Sequence, residues 1–223
     1  MTPTPPSRTI LLAGGTSAVG AVAARTALAT GARVVVVGRD AGKLAALEAE
    51  LPGIRTAECD LTDEAAVRAL ADDLHQGIGR IDGILHLVGG WRGGGGLAGQ
   101  SDEDFRFLER SLTALRHVTR AFDEDLRESD AGRLAIVSST AVDRPLAGGA
   151  NYAAVKAASE AWARAVAQGF AKAARDAERP LAAASVIFRV KALDGLEQAL
   201  AEFFLTLFEM DAADINDKIL PIG

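Results

Sequence analysis

The sequence predicts an α/β fold, a doubly wound sheet of about seven parallel strands with helices on both faces. Two observations predict it. Short, mostly apolar runs such as Thr9–Ala13, Arg33–Gly38 and Leu134–Val137 have the composition of strands buried on both sides. Segments with helical spacing alternate with them, as at Ala66, Leu70 and Leu74. With 223 residues, 49% of them hydrophobic, the chain suffices for one full core.

Composition narrows the function classes. The net charge is −6 and no long basic block is present, which disfavours a nucleic-acid partner. The single cysteine, Cys59, excludes an intrachain disulfide framework and a zinc site made of thiolates, and it fits a reducing cytoplasm. No apolar run approaches the roughly 20 residues of a membrane span. Residues 1–8 carry Pro3, Pro5 and Pro6 without a signal peptide's charged and apolar regions, and read as a flexible lead-in. Residues 9–223 read as one domain, without internal repeats.

Thr9–Ala13 is the first strand. Gly14-Gly15-Thr16-Ser17-Ala18-Val19-Gly20 follows, then an alanine-rich helix to about Thr30. Strand, glycine turn and helix is the context of a dinucleotide site. Glycines admit a pyrophosphate close to the backbone, and the helix N-terminus offers N–H groups and partial positive charge. Gly14, Thr16, Ser17, Ala18, Val19 and Gly20 are therefore candidate cofactor residues. The second strand, Arg33–Gly38, ends at Arg39-Asp40. A guanidinium at this tip pairs with a 2′-phosphate, so Arg39 favours NADP(H) over NAD(H); an inward-turned Asp40 would oppose that preference.

A helix is expected around Lys43–Leu51, a third strand over Ile54–Cys59, and a helix over Asp63–Gly77 with His75 on the surface near its end. Cys59 reads as a small buried hydrophobe. The fourth strand begins near Ile81 and exits through Val88-Gly89-Gly90-Trp91-Arg92-Gly93-Gly94, with Gly93–Gly96 a flexible loop. His86 shares no metal-ligand spacing with another residue and reads as a satisfied structural histidine; no metal is expected. Asp102–Arg127 reads as one long helix with the run Asp123-Glu124-Asp125 at a solvated end, and His117 lies in its body with no partner signal.

Gly132–Val137 is the fifth strand, with Ser139 at its C-terminal end, and Asn151–Asp176 the next helix. On that helix Tyr152 and Lys156 are four residues apart and share a face. An ammonium held beside a phenol lowers the phenol's pKa from about 10 and suits it to proton transfer. Leu181–Val190 is the sixth strand, followed by Lys191–Gly195, a helix over Leu196–Met210, and a last strand over Lys218–Gly223.

Ser139 with Tyr152-x-x-x-Lys156, behind a glycine turn, resembles the short-chain dehydrogenase/reductase family. The resemblance covers nearly the whole chain and implies a Rossmann fold. It implies that Ser139 polarises a carbonyl, Tyr152 moves the proton, and Lys156 tunes Tyr152 and binds the nicotinamide ribose. It places Asp60 and Leu61 at the adenine, with N-capping of the next helix as Asp60's other role. It puts Val88 and Gly89 in the cofactor pocket, and Ser111 where the family has an asparagine holding a water of the proton relay. It also implies a homodimer or homotetramer built on the two long helices.

The chain departs from the family pattern in places. Ala18 stands at the middle glycine, and His86-Leu87-Val88-Gly89 replaces Asn-Asn-Ala-Gly. The Pro-Gly after the sixth strand is absent and the substrate lid nearly so. Gly89-Gly90-Trp91-Arg92-Gly93-Gly94 resembles the dihydropteridine reductase branch of the superfamily, where Trp91 would stack on a flat substrate ring or serve as a hydrophobic lid. Two functions follow. The first is an NADP(H)-dependent oxidoreductase acting on a small carbonyl or alcohol, with pterin-type reduction as a variant. The second is a dinucleotide-binding sensor or scaffold without turnover.

Overall fold

A computed structural model describes residues 7–222. Most of the expected lead-in, residues 1–6, lies outside the described residues, as does Gly223. The elements are β1 (Thr9–Ala13), α1 (Ala18–Ala29), β2 (Arg33–Gly38), α2 (Ala41–Glu50), β3 (Arg55–Glu58), α3 (Glu64–Gly77) and β4 (Gly83–His86). They continue with α4 (Asp102–Ala121), α5 (Asp123–Glu128), β5 (Arg133–Ser139), α6 (Ala150–Asp176), β6 (Ala184–Val190), α7 (Glu197–Thr206), α8 (Ala212–Ile215) and β7 (Lys218–Pro221).

All seven strands pair in parallel, in the order β3-β2-β1-β4-β5-β6-β7. Both faces of the sheet are buried, so neighbouring side chains feed opposite cores. Ile10, Leu12, Val34 and Val36 pack on the side of α1 and α7. Leu11, Ala13, Val35 and Val37 pack with residues of α3, α4 and α6 on the other. This is why the strands read as continuous apolar runs rather than alternating ones. The strand order reverses between β1 and β4, and a crevice opens there at the carboxyl ends of the strands.

Six sequence expectations need correction. The helix expected over Asp102–Arg127 breaks at Phe122, which leaves helical geometry (φ −112°, ψ 15°) while its ring is fully buried. Asp125 is not in a solvated end. It is buried and accepts hydrogen bonds from the Ile81 N–H and from His75 Nε2, each at 2.9 Å. His75 is accordingly a partner of that carboxylate rather than a free surface residue. The fifth strand extends two residues further, through Ser139, and the sixth starts at Ala184 rather than Leu181. The helix expected over Leu196–Met210 is α7 followed by a 3-10 turn at Leu207–Glu209.

Candidate active site

The glycine turn is built by sterics. Gly14 has φ +78°, and a Cβ there would lie 2.8 Å from Val88 Cγ2. Only glycine meets both demands. Gly20 serves differently: a Cβ on it would strike the Gly15 carbonyl oxygen, so its role is close packing of α1 on the turn. Ser17 caps α1, its Oγ accepting from the Gly20 N–H at 3.3 Å. Ala18 is exposed, and its methyl lies outside the core.

A groove runs over this turn. Gly14, Thr16, Ser17, Arg39, Asp60, Leu61, Val88, Gly89 and Ser111 line it, so the fold gathers most of the residues chosen from sequence. Ala18 and Gly20 do not line it. Val19 lines an adjoining cavity instead, with Ser17, Val88, Gly89, Tyr152 and Lys156. A third cavity, of about 890 Å³, opens beyond, lined by Trp91, Ser139, Tyr152, Arg144, Leu146 and Lys191 among others. Tyr152 and Trp91 border both of these last two, so groove, junction and mouth form one series.

The β2 tip is cationic. Arg39 is exposed at the groove, and Lys43, in the first turn of α2, lines it too. Asp40 faces neither: its Oδ1 accepts from the Lys43 N–H at 3.0 Å and caps α2. Asp60 does not cap α3. Asp63 does, accepting from the Ala65 and Ala66 N–H groups. Asp60 Oδ1 accepts from the Thr62 N–H and hydroxyl (3.0 and 2.7 Å), and Oδ2 from Arg110 (3.0 Å). The Thr62 hydroxyl bond, helped by Arg110, holds this carboxyl below its usual range. An adenine contact would share a carboxylate already engaged at both oxygens.

Ser139 Oγ accepts from the Ala141 N–H at 3.2 Å, leaving its own proton to donate elsewhere. Lys156 Nζ donates to the Val137 carbonyl oxygen at 2.7 Å and lies 5.7 Å from the Tyr152 ring centroid. Burial lowers its pKa to about 8, against an opposing pull from Glu160. The expected lowering of the tyrosine is not found. Burial pushes the Tyr152 phenol up, the Ser139 hydroxyl draws it partly back, and the lysine is held by the strand.

Ser111 also differs from expectation. Its hydroxyl turns back on its own helix, donating to the Leu108 carbonyl at 2.8 Å, and its carbonyl meets His86 Nε2 at 3.2 Å. His86 is buried and only half satisfied, since its Nδ1 has no partner among the described residues. Burial takes its pKa down to about 4, with the Ser111 contact opposing and Lys156 assisting. His117 does find a partner, the Leu61 carbonyl at 3.2 Å.

Gln100 carries no family signal, yet it organises the mouth. Its Nε2 donates to the carbonyls of Gly94, Gly96 and Gly148, and its Oε1 accepts from the Asn151 N–H. The glycine loop beside Trp91 is therefore tied to the start of α6, next to Tyr152, and is not free. Behind the site, buried Glu160 accepts from Ser138 (2.6 Å) and from Arg189 at both oxygens (2.8 and 2.7 Å); Arg189 also holds Asp143 (2.6 Å). This joins β5, α6, β6 and the segment after Ser139. Lys43 was legible as a second cation four residues past Arg39; Gln100 and Arg110 depend on tertiary placement and had no local signal.

The model for short chain dehydrogenases matches residues 8–174. The chain belongs to the short-chain dehydrogenase/reductase family. It is 31% identical over 162 residues to the (5R,7aS)-5-hydroxy-7a-methyl-1-oxo-2,3,5,6,7,7a-hexahydro-1H-indene-carboxyl-CoA reductase of Mycobacterium tuberculosis, covering 70% of this chain and 62% of that protein. It is 27% identical over 168 residues to the 3-oxoacyl-(acyl-carrier-protein) reductase MabA of Mycobacterium bovis, covering 75% and 65%. The match thus spans less than two thirds of the length of these relatives. In fold, the chain superposes on a metagenomic short-chain oxidoreductase in complex with NADP (TM-score 0.82, 23% identity, 96% of each chain). It superposes equally on an NAD+-bound xylitol dehydrogenase (TM-score 0.83, 17% identity, 96% of this chain and 97% of that one). One of these neighbours holds NADP and the other NAD+.

The residues present fit such a cofactor: the Gly14 turn leaves no room for a side chain, the α1 N-terminus faces the groove, and Arg39 and Lys43 line it, neither side chain with a hydrogen bond or salt bridge among the described residues. No helix among the described residues is long and apolar enough to cross a membrane, and none of their side chains form a metal-binding group.

Proposed function

We propose that the protein is an NADP(H)-dependent oxidoreductase that interconverts a small carbonyl compound and its alcohol. The observation that carries this reading is that Ser139 and Tyr152 line one cavity, and that Tyr152 also borders, with Lys156, the cavity adjoining the candidate cofactor groove. Bound in the groove, the cofactor supplies or accepts the hydride. Gly14, Thr16, Ser17, Val19, Val88 and Gly89 hold its diphosphate and nicotinamide end, Leu61 and Asp60 its adenine end, and Arg39 with Lys43 its 2′-phosphate. Ser139 donates to the carbonyl oxygen and polarises it. Tyr152 gives its proton to that oxygen as negative charge develops, and its raised pKa keeps the proton in place at neutral pH. Lys156, anchored on Val137, sets a positive charge behind the phenol. Ser111, its hydroxyl on Leu108, and His86, which borders the junction cavity with Lys156, would need a bridging water to join a proton path. Trp91 faces the substrate, where it would stack on a flat ring, a pterin included.

The same proposal takes the protein as a homodimer or homotetramer through the outer faces of α4 and α6, where Trp162 borders a shallow surface cavity with Thr119 and Arg120. A reducing compartment such as the cytoplasm suits the buried thiol of Cys59.

The sensor reading has one observation in its favour: Lys156 is held by Val137 rather than lowering the Tyr152 pKa. NADPH oxidation measured with ketones, aldehydes, quinones and a quinonoid dihydropterin separates the two. Turnover that vanishes in Tyr152→Phe is expected of the oxidoreductase; tight NADPH binding without turnover of any compound supports the sensor.

A further inference from the structure

The substrate cavity carries a charge pattern that the chemistry above does not use. Arg144 and Lys191 both line it, on the same wall system as Ser139 and Tyr152, and no acidic residue does. Neither cation makes a hydrogen bond or salt bridge among the described residues, whereas Arg92, next to Trp91 in the chain, lies 3.9 Å from the Phe107 ring centroid and faces Asp104. The carboxylate best placed to neutralise Arg144 is its neighbour Asp143. That group is turned away to Arg189, which holds it at 2.6 Å. Lys191 stands directly after β6, where the family has Pro-Gly, so the departure noted in the sequence places a cation at the cavity. In a chain of net charge −6, an all-cationic mouth is a local inversion of the overall field, and it concentrates anions. The wall also carries two large apolar side chains, Trp91 and Leu146, exposed at 61% and 71%.

We infer that the substrate is an oxo anion: a ketone or aldehyde bearing a carboxylate or phosphate that Arg144 and Lys191 hold, with an apolar body against Trp91 and Leu146. The inference rests on the proposed carbonyl chemistry and deepens it by naming the substrate class. Arg144 supplies a planar, bidentate donor set and Lys191 a point charge, and together they orient the carbonyl toward Ser139 and Tyr152.

The test compares matched acids and neutral partners: benzoylformate with its methyl ester, levulinate with its methyl ester, and dihydroxyacetone phosphate with dihydroxyacetone. The first two pairs report a carboxylate, the third a phosphate. In the wild type, kcat/KM is expected to favour one anionic class by about 10-fold or more, the size of one charge-assisted hydrogen bond. In the double variant Arg144→Gln/Lys191→Gln that preference should shrink to within about 3-fold. Equal rates for acid and ester in the wild type overturn the inference, as does an acid preference that survives in the double variant. Lys191 also borders the junction with the cofactor groove. If Lys191→Gln loses NADPH affinity and keeps the acid preference, the lysine's share of the inference falls.

Calorimetric titration of the same acids and esters keeps the two levels apart. Absence of turnover with every compound defeats the reductase reading alone. Benzoylformate, levulinate or dihydroxyacetone phosphate binding to wild type and losing affinity in the double variant still supports the anion site, and equal binding of acid and ester defeats it.

Discussion

Lys156 Nζ donates to the Val137 carbonyl oxygen at 2.7 Å, fixing the ammonium to β5 two residues before Ser139. The lysine is thereby aimed by the strand that also presents the serine, and its position does not depend on Tyr152. Burial leaves its pKa at about 8, so the charge is present at neutral pH and is lost just above it.

That value gives a pH dependence for cofactor affinity. An anionic cofactor favours the ammonium, so binding raises the lysine's pKa above its value in the free protein. NADPH affinity should be constant below pH 8 and weaken as pH rises through it, and the slope should vanish in Lys156→Met. Fluorescence titration of NADPH between pH 7 and pH 10 measures both. Affinity that does not change with pH in the wild type would remove Lys156 from the cofactor site.

His86 sets an acid limit on stability. Its pKa is about 4 in the folded chain and about 6.5 when unfolded. The unfolded state therefore binds more protons between those values. Its contribution is fully present above about pH 6.5 and is lost as pH falls toward 4, up to about 3 kcal/mol. Urea denaturation at pH 7 and pH 4 should show a smaller loss for His86→Gln than for the wild type. An identical loss would mean that His86 protonates freely in the fold.

Breaking the Glu160–Arg189 pair should cost far more than breaking a surface pair. Glu160→Gln removes the buried one of Arg189's two carboxylate partners and leaves it the exposed Asp143, an expected cost of about 3 kcal/mol. Arg25 and Glu50 are both more than half exposed, and Glu50→Gln should stay within about 0.5 kcal/mol. Denaturation midpoints compare the two directly. Because Glu160 bonds Ser138, the first variant should also lower kcat through the displaced Ser139.

Cofactor choice should follow the β2 tip. Arg39→Ala should weaken NADPH binding about 10-fold and leave NADH within about 2-fold, as expected for loss of one charge-assisted phosphate contact. Lys43→Ala should act in the same direction. Equal loss for the two cofactors would place the 2′-phosphate elsewhere.

What was legible in the sequence follows from how local its cause is. The strands were readable because burial on both faces makes each an apolar run, as in Arg33–Gly38. Tyr152, Lys156 and Ser139 were readable because helical spacing and a strand end place them without reference to distant residues. The break at Phe122 was not, since it is decided by a buried ring and by Asp125 serving β4's approach at Ile81. Gln100 was not, because its partners lie as far as 51 residues away. That Asp60 would leave the cap of α3 to Asp63 was not legible, because its ion-pair partner Arg110 comes 50 residues later.

The most direct measurement is deuteride transfer from NADPH labelled at the nicotinamide C4, assayed by mass spectrometry of the alcohol formed from the best-bound oxo compound. Wild-type protein should place deuterium on the former carbonyl carbon, and Tyr152→Phe should place none while binding NADPH within about 2-fold of wild type, since the phenol's hydroxyl acts on the substrate oxygen. Tight NADPH binding with no label transferred by the wild type, across the carbonyl panel, would contradict catalysis at this site.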